Sequence, residues 1–295
     1  MNRTRSSYIY AGLAILLWST VPTAFKLSLG KLDILPMITI AAVTSTVVMF
    51  IFVLATGKIN LIKQTTPAEL LRSALLGLIN PFIYYLILLN AYKLLPAQVA
   101  QPLNMIWPIV MVFLSVPLLK QEIEKKSFIA LLISFAGVYI ISSQGSPFTR
   151  SHASLPGVLL ALGSSFFWAF YFILNIRDRR DESIKLFLSF LFGSLYLIGS
   201  MIITGKWNIE PGLEGSLSAM YIGIFEMGIT FIFWLKALQL ATTVDKVSNL
   251  VYFGPFLSLI FVHFILHEPV YYTTPAGLLL IITGVLIQNR KTVRN

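Results

Sequence analysis

Long apolar runs alternate with short polar breaks along the whole chain. Ten runs can be delimited, at approximately 8–29, 34–56, 72–92, 97–119, 127–143, 155–176, 184–204, 217–238, 246–266 and 271–289. A helix crossing the hydrocarbon core of a bilayer needs roughly 20 apolar residues, so each run reads as a spanning helix. The strict alternation of a membrane barrel strand is missing. Arg3 and Arg5 could form the charged start of a signal peptide. The first run, however, continues past Trp18 through Val21, Ala24 and Phe25 without a clear small-residue cleavage site, so it is expected to be a retained helix. The longest breaks, 57–71, 144–154, 177–183 and 205–216, are too short for a folded domain. Function must therefore reside in the helices.

Composition narrows the class. The chain of 295 residues is 57% hydrophobic and 12% charged, where a soluble domain carries about 25% charged residues. A soluble enzyme, an extracellular module and a disordered chain are excluded, leaving an all-α polytopic membrane protein. Cysteine is absent, so neither a disulfide frame nor thiolate chemistry is expected. The net charge of +10 reads as a cationic face against an anionic leaflet; no nucleic acid is expected as partner. With ten crossings, 17 of the 22 Lys and Arg residues fall on the N-terminal side, against Lys26, Lys31, Lys93, Arg150 and Lys206 on the other. The asymmetry predicts both termini in the cytoplasm.

The two halves repeat. Gly77, Ala91 and Glu122 precede Gly223, Ala237 and Glu268 by 146 residues, and Pro108 and Gly137 precede Pro255 and Gly284 by 147. Trp18 and Trp168 begin the two units. The predicted units are 1–145 and 153–290, each of five helices. An odd number of crossings forces the second unit to enter the membrane in the opposite sense. Two inverted five-helix repeats can exchange conformations and open a midplane site first to one side and then to the other.

Polar groups in hydrocarbon are costly and usually face an interior or a cavity, and helix residues three or four apart share a face. The first helix carries Trp18, Pro22 and Lys26 on one face; Pro22 should kink it, and Lys26 is expected to snorkel outward. Asn80 with Pro81, and Tyr84 one turn on, mark the third. The fourth carries Gln98, Gln101, Asn104, Trp107 and Pro108. Its mate, the ninth, carries Asp245, Ser248, Asn249, Tyr252 and Pro255. Asp245 and Lys246 read as gate or surface groups. Ser164, Trp168, Tyr171 and Asn175 form a stripe on the sixth. Glu226 stands about ten residues into the eighth, with Thr230 one turn later, at the repeat position of Asn80. A midmembrane carboxyl can bind a substrate amine, carry a proton, or serve only as a structural group. Glu122 and Glu268 are read as structural or gate groups, and His263 as a bystander. Trp18, Asn80, Tyr84, Gln101, Asn104, Trp107, Trp168, Tyr171, Glu226, Asn249 and Tyr252 are thus the candidate substrate-binding residues. Candidates for coupling or gating are Glu226, Pro22, Pro108 and Pro255.

The Pro–Glu–Gly pattern of each half, Pro108, Glu122 and Gly137, then Pro255, Glu268 and Gly284, resembles the drug/metabolite transporter superfamily in its EamA-like branch. "GLAILLWST", "MIWPIV", "YFGPFLS" and "FFWAFYFILN" more narrowly resemble the bacterial aromatic amino acid exporter group. The resemblance implies a carrier of the bacterial or archaeal plasma (inner) membrane that exports a small metabolite without ATP hydrolysis. No Walker loop, metal set, nucleophile elbow or paired carboxylates are found, so no metal, cofactor or catalytic residue is expected. The expected function is secondary transport of a small molecule, first an amino acid, aromatic ones included. The expected partners are that substrate and membrane lipids, and the expected assembly is a monomer or a homodimer. The alternatives are an integral-membrane enzyme acting on a lipid or prenyl substrate, and a passive pore or sensing subunit.

Overall fold

A computed structural model describes residues 3–120, 125–146, 153–206, 212–240 and 249–289. Among these, every regular element is helical. The helices are α1 (Arg3–Leu29), α2 (Ile34–Ala55), α3 (Ile59–Lys63), α4 (Pro67–Gly77), α5 (Tyr84–Leu94), α6 (Ala97–Asn104) and α7 (Trp107–Leu119). There follow α8 (Lys125–Ser142), α9 (Leu155–Ile176), α10 (Glu182–Ile203), α11 (Gly212–Phe225), α12 (Ile229–Leu240), α13 (Gly254–Leu266) and α14 (Thr273–Asn289). Seven described helical stretches are long and apolar enough to cross a bilayer: Arg3–Leu29, Ile34–Ala55, Pro67–Leu94, Ala97–Leu118, Leu155–Asn175, Glu182–Ile203 and Gly212–Leu240. The shorter apolar helices Phe128–Ser142, Leu250–Leu266 and Thr273–Ile287 fall on the other three runs. Large apolar side chains such as Leu132, Ile203, Leu213 and Phe264 are exposed, as a lipid-facing surface of an integral membrane protein requires.

Local chemistry sets several helix starts. The third run begins earlier than its apolar stretch because Thr66 and Glu69 form a reciprocal capping box with Pro67 in the first turn. Ser154 caps α9, accepting from the Gly157 amide at 3.4 Å. Asp181 caps α10, accepting from the Ser183 amide at 3.0 Å.

Four spans are interrupted. A π-helical segment, Leu78–Ile83, separates α4 from α5, and Asn80 within it has the extended angles φ −142°, ψ 118°. Pro81 follows; it has no N–H to donate and its ring crowds the preceding turn. Met105 and Ile106 break α6 from α7, Glu226 to Gly228 break α11 from α12, and the 3-10 turn Asn249–Phe253 precedes α13. Pro108 and Pro255 sit in the first turns of α7 and α13, where a missing N–H costs nothing.

Packing follows small residues. α1 lies against α11, α12 and α13, and α9 lies against α5, α6 and α7. α2 packs on α10 and α11, while α10 also packs on α4; α8 pairs with α14. Gly77 of α4 abuts the backbone of α10 at Ser189 and Gly193, and Gly223 of α11 abuts α2 at Ala41 and Thr44. Gly137 faces Gly277 across α8 and α14, and Gly284 faces Ala130. Without a hydrophobic force between helices in lipid, such close backbone approach is what holds them together.

Candidate substrate cavity

The broken helices surround a cavity of about 570 Å³. Its wall is drawn from α1, α5, α6, α7, α9, α10, α12, α13 and the breaks between them. Four of the five tryptophans of the chain line it, namely Trp18, Trp107, Trp168 and Trp234.

Glu226 sits at the α11–α12 break. One carboxylate oxygen accepts the Tyr85 hydroxyl at 2.9 Å. The backbone carbonyl of Glu226 accepts the Trp18 indole N–H at 3.4 Å. A helix break leaves carbonyls without intrahelical donors, and here the indole of α1 supplies one.

Asn104, the last residue of α6, accepts the Tyr84 hydroxyl at 3.4 Å and donates to Ser164 Oγ at 2.8 Å. It thus ties α5, α6 and α9 together. Gln101, one turn earlier, accepts the Ser258 hydroxyl of α13.

Aromatic rings form an unbroken chain across the wall. Trp107 stacks on Phe172 at 5.1 Å, Phe172 meets Trp168 at 5.3 Å, and Trp168 meets Phe231 at 6.3 Å. Phe231 meets Trp18 edge-on at 5.6 Å, and Trp18 meets Trp234 at 5.5 Å. Tyr84 lies 4.7 Å from Trp168. Edge-to-face and offset contacts at these separations are favourable and fix the ring planes.

The two ends of the cavity differ. At the near end, where α9 gives way to α10, the wall reaches Asn175, Glu182 and Lys185. The Glu182 side chain is 49% exposed there, whereas Lys185 is 2% exposed and donates to Glu182 at 2.6 Å and to the Asp178 carbonyl at 3.0 Å. Toward the far end, hydrogen bonds tie the helix ends together. Lys26 donates to the Leu95 carbonyl at 2.6 Å. Glu268 accepts the Ala97 amide, which opens α6, at 3.1 Å. The buried Gln98 donates to the Pro269 carbonyl and accepts from the Tyr271 amide and the Thr274 hydroxyl, each at 3.1 Å.

Of the sequence candidates, Trp18, Tyr84, Gln101, Asn104, Trp107, Trp168, Tyr171, Glu226, Tyr252, Pro22, Pro108 and Pro255 lie in this wall. Asn80 does not. The extended backbone at Asn80 turns it behind the wall, where it is 1% exposed, while Pro81 seats against Gly193 of α10. Asn249 opens a 3-10 turn, but its side chain lies outside the described residues, as do Glu122, Asp245, Lys246 and Ser248. Lys26 does not snorkel outward; its ammonium is held inside by the Leu95 carbonyl. Sequence reasoning missed Tyr85, Phe172, Phe231, Trp234, Glu182 and Lys185. Phe172 follows Trp168 by one turn, and Trp234 continues the stripe of Glu226 and Thr230. Both signals were visible, but aromatics in spanning helices are so common that spacing alone does not single them out.

Comparison with known proteins comes from three directions. The model of the EamA-like transporter family matches residues 5–143 and again 155–290. The uncharacterized transporter YvbV of Bacillus subtilis is 28% identical over 240 residues, 78% of this chain and 74% of that protein. The aromatic amino acid exporter YddG of Ancylobacter novellus is 24% identical over 237 residues, 78% of this chain and 79% of that one. A crystal structure with 20% identity superposes with a TM-score of 0.66 over 97% of both chains, which establishes likeness of fold. The relatives are transporters, not enzymes.

Proposed function

We propose that this chain, which belongs to the EamA-like transporter family, is a secondary carrier that exports a small amphipathic metabolite by alternating access. The units would be 1–145 and 153–290, ten spans as two inverted repeats, with both termini cytoplasmic. One observation carries the reading: the principal helix pairs recur when the two halves are exchanged. Taking α1 with α9, α2 with α10, α4 with α11, α5 with α12, α7 with α13 and α8 with α14 as mates, the most extensive contacts each have a counterpart. α5 on α9 maps to α12 on α1, α7 on α9 to α13 on α1, and α4 on α10 to α11 on α2. The pairs α2–α10 and α8–α14 map onto themselves. Even the glycine contact Gly137–Gly277 maps, at the offset of 147, to Gly284–Ala130. Five-helix units with this exchange relation support inversion, and the cavity lies between them, as alternating access demands.

On this reading the near end is cytoplasmic and the conformation is open to the cytoplasm, with the Gln98 cluster closing the outside. Pro22, Pro108 and Pro255 border the cavity and would absorb the bends. Glu226 would bind the amine of the cargo, or a proton in its absence. The named exporter among the relatives makes an amino acid, aromatic ones included, the first cargo to examine.

Counterflow of labelled cargo in proteoliposomes tests the proposal, since saturable exchange marks a carrier and unsaturable flux marks a pore. Glu226→Gln is expected to lower pH-driven transport at least tenfold while leaving the protein folded. A Glu226→Gln protein that transports normally at every pH removes Glu226 from the mechanism.

A further inference from the structure

The charge inventory of the cavity says more about the cargo than the family does. Two acids and one cation line the described wall: Glu182, Glu226 and Lys185. Lys185 is fully engaged, donating to Glu182 at 2.6 Å and to the carbonyls of Asp178 and Asn175 at 3.0 and 3.4 Å. Lys26 lies beyond the wall, on the Leu95 carbonyl. Glu226 therefore stands as an acid without a cationic partner among the described residues. Tyr85 occupies one of its oxygens at 2.9 Å, and Glu226 lines the cavity.

Among the neutral donors, Asn104 gives one N–H to Ser164 while its oxygen accepts from Tyr84; the Gln101 amide and the indoles of Trp107, Trp168 and Trp234 also line the cavity. The first turns of α7 and α13 carry prolines, Pro108 and Pro255, in place of amide donors. At the α6–α7 break the amides of Met105, Ile109 and Val110 bond to carbonyls of their own turns. Among the described residues of the wall a carboxylate would find no uncommitted cation, and a buried charge without a counter-charge is strongly disfavoured. A cation would find the opposite: one carboxylate, and the faces and edges of Trp18, Trp168, Phe231 and Trp234. Aromatic faces around a desolvated cation add cation–π attraction.

Resting on the carrier reading above, we infer that the cargo is an organic monocation, a primary to quaternary amine with an aromatic or apolar body and no carboxylate. A zwitterionic amino acid fits less well, because among the described residues of the wall its carboxylate has no counter-charge.

Matched pairs that differ only in the carboxylate provide the test: tryptamine against tryptophan, and phenethylamine against phenylalanine. Binding to the purified full chain is read by thermal shift, and transport by counterflow in liposomes. The amine of each pair is expected to bind at least tenfold more tightly. Glu226→Gln, checked for an unchanged unfolding midpoint without ligand, should erase that preference. Trp168→Leu should weaken amine binding several-fold, and Trp168→Phe should largely retain it. Equal or tighter binding of the amino acids overturns the inference while leaving the carrier reading intact. So does a failure of all four probes to bind. Tight amine binding without counterflow leaves the inference standing and overturns the carrier reading instead.

Discussion

A Cβ added at Gly277 would come within 2.5 Å of the Gly137 carbonyl oxygen, and one at Gly137 within 2.5 Å of the Gly277 carbonyl oxygen. Backbone cannot yield as a flexible side chain can, so the helices must separate. Gly277→Ala is expected to destabilise the protein by roughly 1–3 kcal/mol, the usual range for overpacking. Gly163 of α9 has nothing within 4 Å of its absent Cβ. Gly163→Ala should therefore be neutral or stabilising by about 0.5–1 kcal/mol, the helical advantage of alanine. Unfolding midpoints of the two variants in one detergent check the pair. Asn104 is the contrasting case: three helices meet at its two amide atoms. The sequence marked it as polar and inward, but gave no sign of which helices it joins.

At the level of elements, the connection from α9 to α10 is a built structure and not a loose turn. The Asp178 carboxylate accepts from Arg180 Nε at 3.0 Å, and Arg180 reaches on to Ser73 of α4 at 2.9 Å. Asp181 accepts from Lys58, just before α3, at 2.7 Å and caps α10. Burial by itself raises the Asp178 pKa, but the Arg180 hydrogen bonds and charge, with the charge of Lys185, outweigh it and hold the carboxyl below its ordinary value. A depressed folded pKa stabilises the protein fully above the ordinary value, and that stability is lost as pH falls through the folded one. Unfolding midpoints should therefore drop on acidification below about pH 4, the ordinary aspartate range, and Asp178→Asn should flatten that drop. An acid limb identical in the variant would remove Asp178 from it. The segment 177–183 reads in sequence as a short charged break, because the partners that tie it to other helices, Lys58 and Ser73, lie more than a hundred positions away.

Across the whole molecule the asymmetry between the ends of the cavity defines a state. Gln98, 1% exposed, joins the start of α6 to the segment leading into α14 through Pro269, Tyr271 and Thr274. Removing it takes the acceptor from the buried Thr274 hydroxyl, and a hydrogen bond lost in a buried place costs most. The cysteine-free chain allows the consequence to be read directly. With Leu88→Cys as a reporter in the wall, Gln98→Ala should raise labelling by an impermeant thiol reagent from the far side several-fold. Unchanged labelling would mean that Gln98 does not hold the far end closed. The sequence by itself determined the helical class, the positions of the apolar stretches, the matched halves and most of the polar cavity wall. These follow from the cost of placing charge and open backbone in hydrocarbon, which acts on every residue where it stands. Only the tertiary structure decided that Asn80 lies behind the wall, that Lys26 is held inside, that four tryptophans join into one aromatic surface, and which helix ends Gln98 ties together. Those outcomes depend on backbone breaks that rotate side chains and on partners brought together from distant helices, and neither is written in local spacing.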